Sequence, residues 1–317
     1  MASSLESPTF RWKHDPWTTT PPPASIDKST VADLLDDTHQ AAFQRAMTNV
    51  LATDLAELTI AQLVDGLPLW EVADNTSRHK HKIEDAVYKH RELCPGAMDQ
   101  ARALRQKLDL LAMEIRSDAL NRYQSVPVGS KASKLPLIEL IAVAVHALAV
   151  EVFTQMATPF SLWYNFDDPK QYPHGVADVA AYWAEDRIFG GVVLFGRGKS
   201  GKEQDGVWFH SHRRRVTLHI YALREDQVAS LTQFLESEPG EAASLCCPFP
   251  ILANRENVRR DYRLSMPKYK IYRDPWERKM FYTSYHSYFR LSADCREFEV
   301  DPIERPEWNR MYDSGSD

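Results

Sequence analysis

The sequence predicts an α+β fold, with a helical N-terminal half containing a buried central helix, packed against a small antiparallel sheet. Three observations carry that expectation. The stretch from Leu135 to Gln155 is of helical length and apolar on nearly all sides, so it belongs at the centre of a core. Short runs at Gly190 to Phe195, Gly206 to His212 and Val216 to Tyr221 have strand character, the last two alternating with period two. Helices gathered ahead of the strands, instead of alternating with them, point away from a parallel α/β sheet.

With 317 residues, 44% of them hydrophobic, the chain is long enough to bury one large core. Residues 1–30 are rich in Ser, Thr and Pro and read as an extended arm; 31–290 form a single core domain, and 291–317 an acidic tail. Ser29 or Thr30 caps a helix running from about Val31 toward Asp54, and Leu55 to Val64 forms another. Ile83 to Leu93 follows, stopped by Pro95 and Gly96. Leu104, Leu108, Leu111 and Ile115 recur at helical spacing, which predicts one long amphipathic helix from Met98 to Tyr123. Beyond the central helix, an aromatic loop leads to a helix from Val176 to Arg187, and a last helix spans Glu225 to Glu236.

The central helix is interrupted by Glu139, His146 and Glu151, and a charge at a bilayer centre costs about 2–3 kcal/mol, so a core position and no membrane contact are expected. Cys94, Cys246, Cys247 and Cys295 lack paired CxxC spacing and read as reduced thiols; with no apolar run near the N-terminus, a cytoplasmic location is expected. Neither a cofactor nor a metal is expected. The net charge of −6 is unevenly spread: Asn254 to Arg290 holds ten basic and four acidic residues, the tail three basic and eight acidic. Such asymmetry marks either an anion-binding surface or a basic face neutralised by the chain's own tail.

Five constellations could carry chemistry. Gly196 to Lys202 satisfies the first seven positions of a phosphate-binding loop, but Glu203 stands where a hydroxyl should reach magnesium and a strand follows where a helix should; a polar hairpin loop is expected. His210 and His212 lie two apart on a strand, facing one way, and Arg213 beside them would repel a metal and favour an anion. Asp178, Tyr182 and Glu185 fall at i, i+4 and i+7 on one helix face: either a solvated stripe or an acid–base set, in which Glu185→Gln would harm function more than stability. Glu139 and His146, seven apart in the apolar helix, could pair with each other. From Tyr269 to Tyr282, including Arg273 and Trp276, rings interleave with cations, as at nucleic-acid surfaces or where a terminal segment packs on a core. A candidate site follows: Asp178, Tyr182, Glu185 and His210 as catalytic groups, with Glu139, His146, His212, Arg213, Arg273 and Trp276 binding substrate.

Four runs, YWAEDRIFGGVVLF from Tyr182 to Phe195, VTLHIY from Val216, CPFPIL from Cys247 and IYRDPWERK from Ile271 to Lys279, resemble a large group of fungal proteins, usually labelled hypothetical and often associated with specialised-metabolite gene clusters. The resemblance spans roughly Leu135 to Lys279 and transfers no catalytic residues. It implies an enzyme of fungal specialised metabolism working by group transfer. The leading expectation is a transferase similar to the arginine-containing cyclodipeptide synthases, taking an aminoacyl substrate from tRNA. On that reading Arg255 to Lys279 contacts the RNA and the Asp178/Glu185 face holds a substrate guanidinium. Alternatives are a terpene cyclase lacking the usual metal motifs, another small-molecule-converting enzyme, and a non-catalytic scaffold.

Overall fold

The computed structural model describes residues 25–76, 85–156, 172–213, 216–217, 219–238, 246–266 and 268–274. It is an α+β fold. Ten α-helices appear among those residues: α1 Val31–Leu34, α2 Asp37–Leu51, α3 Asp54–Asp65, α4 Trp70–Thr76, α5 Asp85–Lys89, α6 Ala97–Lys107, α7 Ser117–Gln124, α8 Lys134–Met156, α9 Val176–Phe189 and α10 Glu225–Glu236. The strands are β1 Lys28–Thr30, β2 Glu114–Arg116, β3 Val192–Gly196, β4 Val207–His210, β5 Ile220–Ala222, β6 Arg259–Arg260 and β7 Ile271–Tyr272.

Helix α8 is the centre of the fold, with Leu140, Ile141, Ala142 and Ala144 buried, and it packs along α9, α3 and α7. The stretch Lys131–Met156 is long and apolar enough to cross a membrane, yet most of its apolar window lies inside the fold. Close approach of α9 is possible because Ala177, Ala180, Ala181 and Ala184 form a buried stripe at i, i+3, i+4 and i+7. The neighbouring stripe of the same helix is Asp178, Tyr182 and Glu185, so packing one face on the core presents the other to whatever lies beside it.

That neighbour is the five-stranded antiparallel sheet, in the order β6-β5-β4-β3-β7. Strands β3 to β6 form a meander, and β7 returns to the far edge beside β3, which brings the residues after it next to α9. Alternation sorts the two faces: Val193, Phe195, Phe209 and Tyr221 join the main core, whereas Val192, Leu194, Ile220 and Ile271 form a second apolar cluster with Tyr172, Val179 and Tyr182. The Gly196–Lys202 run lies in the β3–β4 hairpin, as expected, with Gly198 and Gly201 at positive φ.

Two helix predictions need correction. The helix expected from Val31 to Asp54 breaks at Leu35, because Asp36 caps a new start by accepting from the His39 backbone N–H at 2.9 Å. The helix expected from Met98 to Tyr123 ends at Lys107: Asp109 accepts from the N–H groups of Leu111 and Ala112, and the chain then extends to pair β2 with β1. That pairing also makes Lys28–Thr30 a strand, where an extended arm was expected. The aromatic loop before Tyr172, the remainder of the N-terminal arm, Trp276 and the acidic tail lie outside the described residues.

Candidate functional site

Asp178 and Glu185 are buried, which corrects the expectation of a solvated stripe; their partners come from elements far along the chain. His146 of α8 sits between them, with Nδ1 2.7 Å from Glu185 Oε1 and Nε2 3.0 Å from Asp178 Oδ1. Arg273, placed by β7, donates through Nη1 to both Glu185 oxygens, at 2.9 and 2.8 Å. Its guanidinium also lies over the Tyr182 ring, 5.3 Å from the centroid, and the His146 ring lies 4.5 Å from the same phenol ring.

The electrostatics follow from this arrangement. Burial works against a charged His146, but hydrogen bonds to Asp178 and Glu185 outweigh it and raise the imidazole above its ordinary value of 6.5, although the Arg273 charge opposes them. For Asp178, burial favours the neutral acid, yet hydrogen bonds from His146 and His174 prevail and hold it well below the usual carboxylate range. Two anions and two cations therefore share one buried cluster.

Asp178 also reaches outward. Its Oδ2 accepts from the His174 backbone N–H at 2.6 Å, and Oδ1 lies 3.0 Å from His174 Nδ1. The His174 side chain is 36% exposed, and its Nε2 is 3.3 Å from Lys28 Nζ on β1. Gly175, at φ 60, makes the turn that folds His174 back onto the first turn of α9. His174 is absent from the sequence-based site; its signal was the i, i+4 spacing to Asp178.

Glu139 does not pair with His146, contrary to one expectation. Seven residues along a helix is a separation of about 10 Å, too far for the two to meet. Glu139 instead takes Arg197 Nη2 at 2.6 Å and contacts Arg122 and Gln204. Arg197 also donates to the Arg273 carbonyl at 2.8 Å, so this second network braces the segment carrying Arg273.

His210, His212 and Arg213 belong to a third cluster, around Asp186. Strand β4 ends at His210, so the two histidines do not share a strand face, though their rings remain 5.2 Å apart. His210 stacks on Tyr262, the His212 N–H donates to Asp186 Oδ1 at 2.8 Å, and Arg213 donates to the Asp186 and Arg187 carbonyls at 3.2 and 2.7 Å. The structure thus joins Asp178, Tyr182, Glu185, His146 and Arg273 in one cluster, and places His210, His212 and Arg213 in another.

Neither the models of known protein families, nor the curated proteins, nor the solved structures include a match to this chain.

Proposed function

We propose that the protein is a small-molecule-converting enzyme of the group-transfer kind, in which His174 is the proton-transfer residue and Asp178 orients it. The observation that carries this reading is the Asp178 carboxylate, fixed from inside by His146 and holding the half-exposed His174 through Nδ1. A carboxylate on Nδ1 makes Nε2 the basic nitrogen; it now accepts from Lys28 Nζ at 3.3 Å, and a substrate that displaces this contact exchanges its proton there, with the Lys28 charge beside a developing anion. Hydrogen bonds from His146 and His174 keep that carboxylate ionised, and Glu185 and Arg273 hold His146 in place behind it. Tyr172 and Tyr182, with ring centroids 5.6 Å apart, give the neighbouring wall.

The test compares untargeted metabolite mass spectra of cells expressing the wild-type chain and His174→Gln. A product that appears with the wild type and falls by about 10²-fold or more with folded His174→Gln supports the assignment. Unchanged product from that variant rules it out.

A second reading keeps the aminoacyl-tRNA substrate. Arg260 and Lys268 flank Tyr269, at 5.2 and 5.1 Å from its centroid, an arrangement suited to an RNA backbone and a stacked base. In that reading Glu185 is not the guanidinium acceptor, because Arg273 already occupies both of its oxygens. Retention on immobilised tRNA that weakens steeply with salt, and is lost in a double Arg260→Ala, Lys268→Ala variant, is the expected result.

A further inference from the structure

Away from the α8–α9 cluster, the C-terminal end of α3 and the segment after α5 bring three metal-ligating side chains together. Asp65, His90 and Cys94 each offer one ligand atom, and the three atoms lie within 4.8 Å of one another. Asp65 Oδ2 is 3.0 Å from His90 Nε2 and accepts the Cys94 backbone N–H at 2.9 Å. His90 Nδ1 is 3.0 Å from the Pro68 carbonyl oxygen.

The last contact fixes the imidazole. A carbonyl oxygen can only accept, so Nδ1 carries a proton and donates it to Pro68, which turns the second ring nitrogen toward Asp65. In the neutral ring that nitrogen is a lone pair facing a carboxylate oxygen: two acceptors in contact, which require a cation between them. Either a second ring proton or a metal ion can fill that role. A carbonyl holding the far nitrogen of a histidine is also the usual outer support of a zinc-bound imidazole.

We infer that Asp65, His90 and Cys94 form a zinc site with a fourth position open to solvent on the exposed Cys94 side. Thiolate, imidazole and carboxylate together are a zinc donor set, and one carboxylate plus one thiolate neutralise the dication. Tetrahedral bonds of about 2.0–2.3 Å put ligand atoms about 3.3–3.8 Å apart, within reach of side-chain rotation here. Binding releases the Cys94 thiol proton to solvent and leaves the His90 Nδ1 proton on Pro68. No guanidinium belongs to the trio, unlike the His210–Arg213 cluster. The site does not depend on the proposed role of His174.

Peptide-level alkylation of the full chain tests it, because Cys246 and Cys247 are exposed and serve as internal references. Zinc should slow modification of Cys94 by about tenfold or more while leaving the references unchanged, and a chelator should restore the rate. His90→Gln should abolish the protection while Cys94 stays reactive. Cobalt(II) should give a thiolate charge-transfer band that Cys94→Ser removes. Equal Cys94 modification with and without saturating zinc would mean that a proton alone fills the gap, and would overturn the site. Protection undiminished in folded His90→Gln would overturn the ligand assignment.

Discussion

At Glu185 four contacts meet on a side chain with no exposed surface: both oxygens accept from Arg273, Oε1 lies against His146, and Oε2 accepts from the Val193 backbone N–H at 3.4 Å. The helical spacing of Asp178, Tyr182 and Glu185 was legible in the sequence, but their partners were not, since His146 and Arg273 lie 39 and 88 residues from Glu185. Glu185→Gln keeps the shape but removes the charge that Arg273 Nη1 meets at 2.8 Å, leaving the more distant Asp274 at 3.7 Å, and breaking a buried pair costs about 3–5 kcal/mol. Urea denaturation should therefore show a large loss of stability, reversing the sequence-based expectation that function suffers first. The pH dependence follows from the same contacts. Because the folded state raises His146 above 6.5, its stabilising contribution is fully present below that value and is lost as pH rises through the raised one. Asp178 is depressed below 3.8, so its contribution is present above that value and lost as pH falls. The stability difference between wild type and His146→Gln should be largest below pH 6.5 and shrink as pH rises through the raised value. A difference that grows with pH would mean that His146 is neutral in the folded protein.

Among the elements, α9 and β3 show how a short sequence signal sets a site. Gly190 ends α9 in the left-handed region at φ 106, its N–H bonded to the Asp186 carbonyl, and β3 begins two residues later. No other residue suits this turn. A Cβ on Gly190 would lie 2.3 Å from the Ile251 carbonyl oxygen, which already accepts from the Tyr221 hydroxyl at 2.9 Å. Gly190→Ala therefore combines backbone strain with a backbone clash, and should cost about 2–4 kcal/mol, read as a fall in melting temperature. From the sequence, Gly190 to Phe195 is one strand-like run and the helix ends at Arg187, whereas the structure carries α9 to Phe189, gives Gly190 and Gly191 to the turn and begins β3 at Val192. The region from Met98 to Tyr123 was harder to read. Its leucine spacing is helical, but Asp109 offers the backbone a competing turn and β1 supplies a pairing partner from another part of the chain. Local periodicity cannot report a strand of three residues whose stability depends on such a partner.

For the molecule as a whole, the central helix and the antiparallel sheet were legible because each rests on composition along a continuous stretch. What joins them was not, because it depends on single polar residues meeting across the core. Glu139 is the clearest case: it receives Arg122 from α7, Arg197 from the end of β3 and Gln204 from the β3–β4 hairpin, while Arg197 in turn holds the Tyr272 and Arg273 carbonyls. One carboxylate thus ties the helical layer to both the hairpin and the returning edge strand. The hairpin glycines resemble a phosphate-binding loop, yet the buried charge among them, Arg197, points inward to this network. Glu139→Gln should cost about 3–5 kcal/mol, since Arg197 would stay buried facing an uncharged amide. Exposed Lys202, in the same loop, should tolerate Ala within about 0.5 kcal/mol. Paired denaturation curves test the contrast. If Glu139 links the layers, Glu139→Gln lowers the midpoint of helix and tertiary signals together in one transition. If the sheet signal is lost first while the helical signal persists, the two layers are held together by apolar packing alone, and the carboxylate only closes the hairpin onto its surface.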